Sequence, residues 1–251
     1  MPQHKQLKIL LVGDNGRDEY HYGTVDRLSP EAPVPIFKFE KQESRPGMAG
    51  NVEQNLLAFG CQVDFLRTQV SKKVRLIDSR SKYHIARIDY DQRCEPIYID
   101  IAKTDYDAVI ISDYNKGTVT YDTIDTIQDN FKCPIFLDTK KTDAESFDKC
   151  ILKINEKEFN SLKSHATNMI VTRGDKSVQH YNNKHLKEFM VPKIEVHDVC
   201  GAGDTFIAAL CYEYLISNNM DFAIAFAIKA ASITIQHTGT YAPGLGEIKC
   251  S

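Results

Sequence analysis

Asp198-Val-Cys-Gly-Ala-Gly-Asp204-Thr-Phe206 is the stretch on which the fold turns, because it sets a loop of small residues before an apolar helix and a carboxylate at the junction. Phe206, Ile207, Leu210, Cys211, Tyr214 and Leu215 fall on one stripe at helical spacing. Gly201, Ala202 and Gly203 leave little side-chain bulk over the backbone, so unpaired N–H groups at the helix start can converge on an anion, with the helix dipole behind them. Asp204 beside such an anion hole suits phosphoryl transfer. A carboxylate there takes a proton from an attacking hydroxyl while the N–H groups stabilise charge on the transferred group. The competing reading is a tight turn with Asp204 as a helix cap, which short glycine patterns often produce.

The rest of the chain alternates short β-rich runs (7–12, 109–112, 134–138, 151–154, 169–172) with helical ones (49–59, 121–131, 156–162). Near-continuous apolar runs mark strands covered on both faces, so the expected class is α/β, a mostly parallel sheet flanked by helices. Binding loops then lie at the carboxyl ends of the strands, where Asp14, Asp113, Asp138, Asn155 and Thr172 fall. Two segments break the alternation. Residues 33–39 and 74–89, the latter split at 79–82, read as strands with interleaved polar residues and suggest a small antiparallel β lid drawn from about 20–45 and 73–100. An ordinary edge hairpin is the alternative.

Further motifs converge. Asp-x-x-Gly-Ala-Gly-Asp resembles the second signature of the ribokinase-like (PfkB) sugar kinases. Val12-Gly13-Asp14, Asp18, Arg27-Leu-Ser-Pro-Glu-Ala-Pro-Val-Pro-Ile36 and Arg45-Pro-Gly-Met-Ala-Gly-Asn51 resemble one subfamily. That subfamily is the kinase half of the bacterial bifunctional enzymes that phosphorylate D-glycero-β-D-manno-heptose 7-phosphate and adenylylate the product. Ile111-Ser-Asp-Tyr-Asn-Lys-Gly117, Leu137-Asp-Thr-Lys140, Asn155-Glu-Lys-Glu158 and Val171-Thr-Arg-Gly174 follow in order, so the resemblance covers nearly the whole chain. It implies a ribokinase-like kinase using ATP, a lid closing over the sugar, and a homodimer formed through the lid. Because the sequence ends at Ser251, the adenylyltransferase is expected to be a separate protein.

Composition agrees. With 251 residues, 42% hydrophobic and 26% charged, a single kinase domain spanning 1–251 with one substantial core is expected. A net charge of −3 and no Lys/Arg run give no footprint for nucleic acid. No segment approaches the ~18 apolar residues of a membrane span, and the amino terminus lacks a signal-peptide core, so a cytoplasmic protein is expected. Cys61, Cys94, Cys133, Cys150, Cys200, Cys211 and Cys250 form no C-x-x-C pair and read as reduced thiols.

On the nucleotide side, Asn155 and Glu158 stand three apart at a strand-to-helix junction, where they can orient Mg²⁺ through its waters or form a helix cap; both can hold together. Thr172 and Gly174 are expected along the nucleotide phosphates, and Ala230, Ala231 and Ser232 beside the adenine. On the sugar side, Asp14, Asp18 and Asn51 present polar groups to hydroxyls, Gly47 permits close backbone approach, and Arg45, Lys73, Arg75, Arg87 and Lys140 are candidates for a distal phosphate. Three positions depart from the family: Met48 replaces a glycine, Arg17 an apolar residue, and Ile154 a proline before Asn155. The segments around 66–73 and 162–168 are shorter than in the family. A kinase of another sugar, or a silent sugar- or nucleotide-binding paralogue, are the alternatives; the latter has no need to keep base, anion hole and metal group together.

Overall fold

Ile9, Leu10, Leu11 and Val12 are all buried, because successive strand side chains point to opposite faces and both faces are covered here. Ile9 and Leu11 enter one core, Leu10 and Val12 the other. They open β1 (Lys8–Leu28), whose first part runs parallel between β3 (Gln62–Asp78) and β5 (Ala108–Asp113). The computed structural model describes residues 6–183 and 185–250. From β5 the parallel order continues through β6 (Ile135–Thr139), β7 (Cys150–Asn155) and β8 (Asn168–Thr172), and ends in antiparallel β9 (Ser177–Asn182) and β10 (His185–Met190). One face is covered by α1 (Ala49–Ala58), α4 (Ala202–Ser217) and α5 (Met220–Thr234), through Val52, Leu56, Phe206, Ile207, Ala223 and Ile224. The other is covered by α2 (Tyr121–Asn130), through Ile124 and Ile127. The expected mostly parallel sheet with flanking helices and antiparallel strands is the observed fold.

The antiparallel strands arise differently from the expected separate segments. β1 does not stop at the Gly13–Gly16 turn signals but shifts register against β3, from Gly13 opposite Arg67 to Asn15 opposite Val70, and runs on to Leu28. Such irregularities re-aim side chains and increase twist. β2 (Pro35–Met48) pairs antiparallel with the far half of β1, and β4 (His84–Tyr90) with the far half of β3. The projecting layer is therefore two body strands prolonged, each carrying an antiparallel partner. Residues 91–100 carry no strand. Two short helices, α3 (Glu156–Phe159) and α6 (Leu245–Cys250), complete the elements used below. No helix among the described residues is long and apolar enough to cross a membrane.

Candidate active site

Helix α4 begins at Gly201, whose φ of +79° is a conformation that side chains rarely adopt; a Cβ there would lie 2.6 Å from Asn51 Nδ2. Small residues are therefore required by geometry at this turn. At the start of α4 the Ala202 N–H makes a long bond to Val199 O at 3.3 Å, and Asp204 sits in this first turn, 5% exposed. Both of its oxygens are engaged. The Tyr114 hydroxyl donates to Oδ1 at 2.6 Å, and Asn51 Nδ2 donates to Oδ2 at 3.0 Å and to Gly201 O at 3.4 Å. Burial pushes the Asp204 carboxyl up to about 6, with the Asp138 charge adding to it, while Tyr114, Asn51 and Lys153 oppose the rise.

Lys153, 4% exposed on β7, donates to Asp138 Oδ2 on β6 at 2.6 Å. A Cβ on Gly203 would meet its ammonium at 2.9 Å, so the cation lies against the first turn of α4. Burial would discharge this lysine, but Asp138, joined by the charges of Glu158 and Asp204, outweighs it and raises its pKa. A fixed positive charge thus stands beside the small-residue loop.

From that loop a cavity of about 590 Å³ opens, lined by Ala202, Gly203, Thr172, Gly174, Ala231 and Ser232, with Val178, Val191, Ile194, Phe206 and Ile228 as apolar walls. The expected nucleotide-side residues Thr172, Gly174, Ala231 and Ser232 are brought together here. Ala230 is not; it is fully buried and packs in the core. The cavity also takes in Pro192, Lys193 and Val196 from the irregular segment after β10, which the sequence reading does not include.

Asn155 and Glu158 form a reciprocal capping box at the start of α3: Glu158 N donates to Asn155 Oδ1 at 2.9 Å and Asn155 N to Glu158 Oε2 at 2.8 Å. The other Glu158 oxygen is ion-paired with Lys140. Among the described residues no group of three or more His, Cys, Asp or Glu side chains could hold a metal directly. The donor set thus fits a hydrated ion held in its outer sphere, with phosphate oxygens as ligands, and does not fit an all-protein cage.

On the sugar side, Asp14 sits at the β1 register shift, 1% exposed. Its Oδ2 accepts from the backbone N–H of Tyr114 at 2.7 Å and of Lys116 at 3.1 Å, while Oδ1 is buried with no hydrogen-bond partner. An orphaned buried acceptor is the feature expected where a ligand hydroxyl docks. Asp18 is held by Arg75 at 2.5 Å, and Arg75 also reaches Cys200 Sγ at 3.4 Å, which ties the projecting strands to the Asp198–Asp204 loop. Gly47 packs on Asp18. Asn51 belongs to Asp204 rather than to the two aspartates.

Of the basic candidates, Arg45 caps the carbonyls of Thr238 and Thr240, Arg75 holds Asp18, Arg87 pairs with Asp89, and Lys140 pairs with Glu158. Lys73 lies 5.9 Å from the Tyr114 ring centroid. Met48 has φ +53° and ψ −135°, backbone that suits glycine, and its Sδ would be 2.9 Å from a Cβ on Gly16.

The Lys153–Asp138 pair and the reach of Tyr114 lie beyond the sequence reading. A lone lysine inside an otherwise apolar strand is the available signal for the first. Nothing short of tertiary structure brings the Tyr114 hydroxyl to Asp204.

Residues 101–245 match the family described as pfkB family carbohydrate kinase. The bifunctional protein HldE of a Nitratiruptor species is 29% identical over 96% of this chain and 64% of its own length; that of Salmonella dublin is 27% identical over 96% and 62%. The chain therefore spans less than two thirds of the length of these curated relatives. Ribokinase from Thermotoga maritima superposes with a TM-score of 0.73 at 18% identity, covering 97% of this chain and 98% of that one. Arabidopsis thaliana ribokinase, solved with ribose and ATP, gives 0.74 at 15% identity and 98% coverage of both chains. The structural neighbours share the fold, and the family match extends over more than half of the sequence: the chain belongs to the pfkB family of carbohydrate kinases, phosphotransferases whose acceptor is an alcohol group.

Proposed function

We propose that the chain transfers the γ-phosphoryl group of ATP to the anomeric hydroxyl of D-glycero-β-D-manno-heptose 7-phosphate, giving the 1,7-bisphosphate. The observation that carries the kinase chemistry is the buried Asp204 in the first turn of α4, next in the chain to Ala202 and Gly203, which line an apolar cavity. The similarity to HldE proteins and the Ser29–Pro35 run support the heptose.

In this reading Asp204 accepts the proton of the acceptor hydroxyl as its oxygen attacks the γ-phosphorus, and the bond to the leaving ADP oxygen breaks. The N–H groups of Gly201, Ala202 and Gly203 stabilise charge on the transferred group. A base whose pKa lies near 6 is ionised at neutral pH yet basic enough to take a proton. Asp14, through its unpartnered oxygen, and Asp18 orient the sugar, with Gly47 letting the backbone approach, and Asn51 acts through the Asp204 carboxylate it holds. Thr172 and Gly174 flank the phosphates, and the apolar walls take the adenine. Asn155 and Glu158 would hold Mg²⁺ through its water shell, and the bound ion would supply charge neutralisation on the phosphates. A homodimer through the projecting strands, where Phe39, Ile88 and Tyr90 are exposed, and a cytoplasmic location belong to the same proposal.

Phosphorus NMR of a reaction with ATP and heptose 7-phosphate tests it. A new anomeric phosphate resonance appearing with ADP is expected; ADP formation only with other sugars would move the acceptor assignment, and none with any sugar would remove the kinase reading.

A further inference from the structure

Tyr114 stands between the two halves of the site. Its backbone N–H binds Asp14, and its hydroxyl donates to Asp204 Oδ1 at 2.6 Å. Two ammonium groups lie over its ring, Lys73 at 5.9 Å and Lys140 at 5.4 Å from the centroid. The phenol is thus held at its backbone and at its ring, and it spends its one proton on the carboxylate.

We infer that Tyr114 is a positioning residue for phosphoryl transfer, orienting the Asp204 carboxylate and keeping it ionised inside a buried site. The inference rests on the reading of Asp204 as the base, and it adds a function for a side chain which that reading leaves idle. The groups facing Asp204 are Asn51 from α1, Tyr114 from the segment after β5, Asp138 from β6 and Lys153 from β7. Lys153 is already paired with Asp138, so much of its charge is spent there. Asn51 and Tyr114 are the two direct donors. Of these Tyr114 makes the shorter bond, and a hydrogen bond to an ionised oxygen from a hydroxyl is among the stronger kinds. Its loss therefore raises the proton affinity of Asp204. Tyr114 does not itself become a base, because burial and the Asp204 charge drive its own pKa well up.

The test is to titrate the Asp204 carboxyl by carbon NMR in protein labelled at aspartate, with the resonance assigned by its disappearance in Asp204→Asn. Tyr114→Phe is expected to raise the midpoint by about one pH unit, the lower end of what a charged hydrogen bond is worth. The acid limb of kcat/KM should move to higher pH by the same amount, with kcat reduced and ATP affinity unchanged. Installing 3-fluorotyrosine at position 114, a more acidic donor of nearly the same shape, should move both in the opposite direction. Packing alone cannot produce two shifts of opposite sign. An unmoved Asp204 midpoint in both variants would overturn the inference, as would lost activity with an unshifted pH profile. If the midpoints move as expected but the unaltered protein phosphorylates no sugar, Tyr114 still holds the Asp204 carboxylate ionised, and it is the reading of Asp204 as the kinase base that falls.

Discussion

Replacing Asp204 by Asn should make the protein more stable at pH 8 while abolishing most of its turnover. Between the ordinary aspartate value of 3.8 and the raised value of about 6, the native state binds more protons than the unfolded chain. Stability therefore falls as pH rises through that window and stays reduced above it. The separation corresponds to roughly 3 kcal/mol, the cost of keeping this carboxylate ionised where it is buried. Asn removes that cost but offers only one acceptor oxygen to the two donors, Tyr114 and Asn51, so one bond worth about 1 kcal/mol is lost. A net gain of about 1 to 2 kcal/mol at pH 8 follows, or a Tm higher by about 4 °C for a chain of this size. At pH 4 the gain should vanish or change sign. Turnover should drop by ~10²-fold or more while ATP affinity is retained. Melting curves at both pH values, ATP titration calorimetry and single-turnover rates provide the check. A variant less stable than the parent at pH 8, or one with near-normal turnover, would refute the reasoning.

Other consequences are independent of that variant. The kcat/KM of the unaltered protein should fall as pH drops through about 6, because Asp204 must be ionised to accept a proton; a profile flat down to pH 5 would place the base elsewhere. Asn155→Ala combined with Glu158→Gln should raise the Mg²⁺ concentration for half-maximal rate, and an unchanged dependence would leave the pair as a helix cap alone. Lys153→Met strands buried Asp138 without its cation and should cost about 3 to 5 kcal/mol in urea unfolding, with Asp138→Asn in the same chain recovering part of it. A loss below about 1 kcal/mol would show the pair to be solvated in solution.

The body strands are legible because parallel strands covered on both faces read as unbroken apolar runs, as at residues 9–12 and 108–111. The α4 junction is legible because its chemistry and its backbone demands use the same small residues. The length of β1 is not: Gly13, Asp14, Asn15 and Gly16 are turn-forming types, yet β3 pairs on either side of the shift at Asp14 and β2 joins from Asn15 onward, which carries the strand past them. Local preference loses there to two ladders of tertiary hydrogen bonds. β9 and β10 do carry a hairpin signal, alternating residues around Asn182 and Asn183, outside the runs from which the sheet was expected. Within the site, sequence supplies the carboxylates but not their partners. Asn51 spans 153 positions to reach Asp204, Tyr114 spans 90 and Arg75 spans 57 to Asp18, separations for which no local rule exists.

The central claim concerns the acceptor, and kcat/KM for ADP release across heptose 7-phosphate, free heptose, fructose 6-phosphate and ribose tests it most directly. In the proposed reading an acceptor lacking the distal phosphate forfeits at least one charge-assisted contact with a basic side chain, worth roughly 1.5 to 3 kcal/mol, so heptose 7-phosphate should lead free heptose by about ten- to a hundredfold. Equal rates on heptose 7-phosphate and free heptose, or a faster rate on fructose 6-phosphate, would contradict the heptose-phosphate assignment.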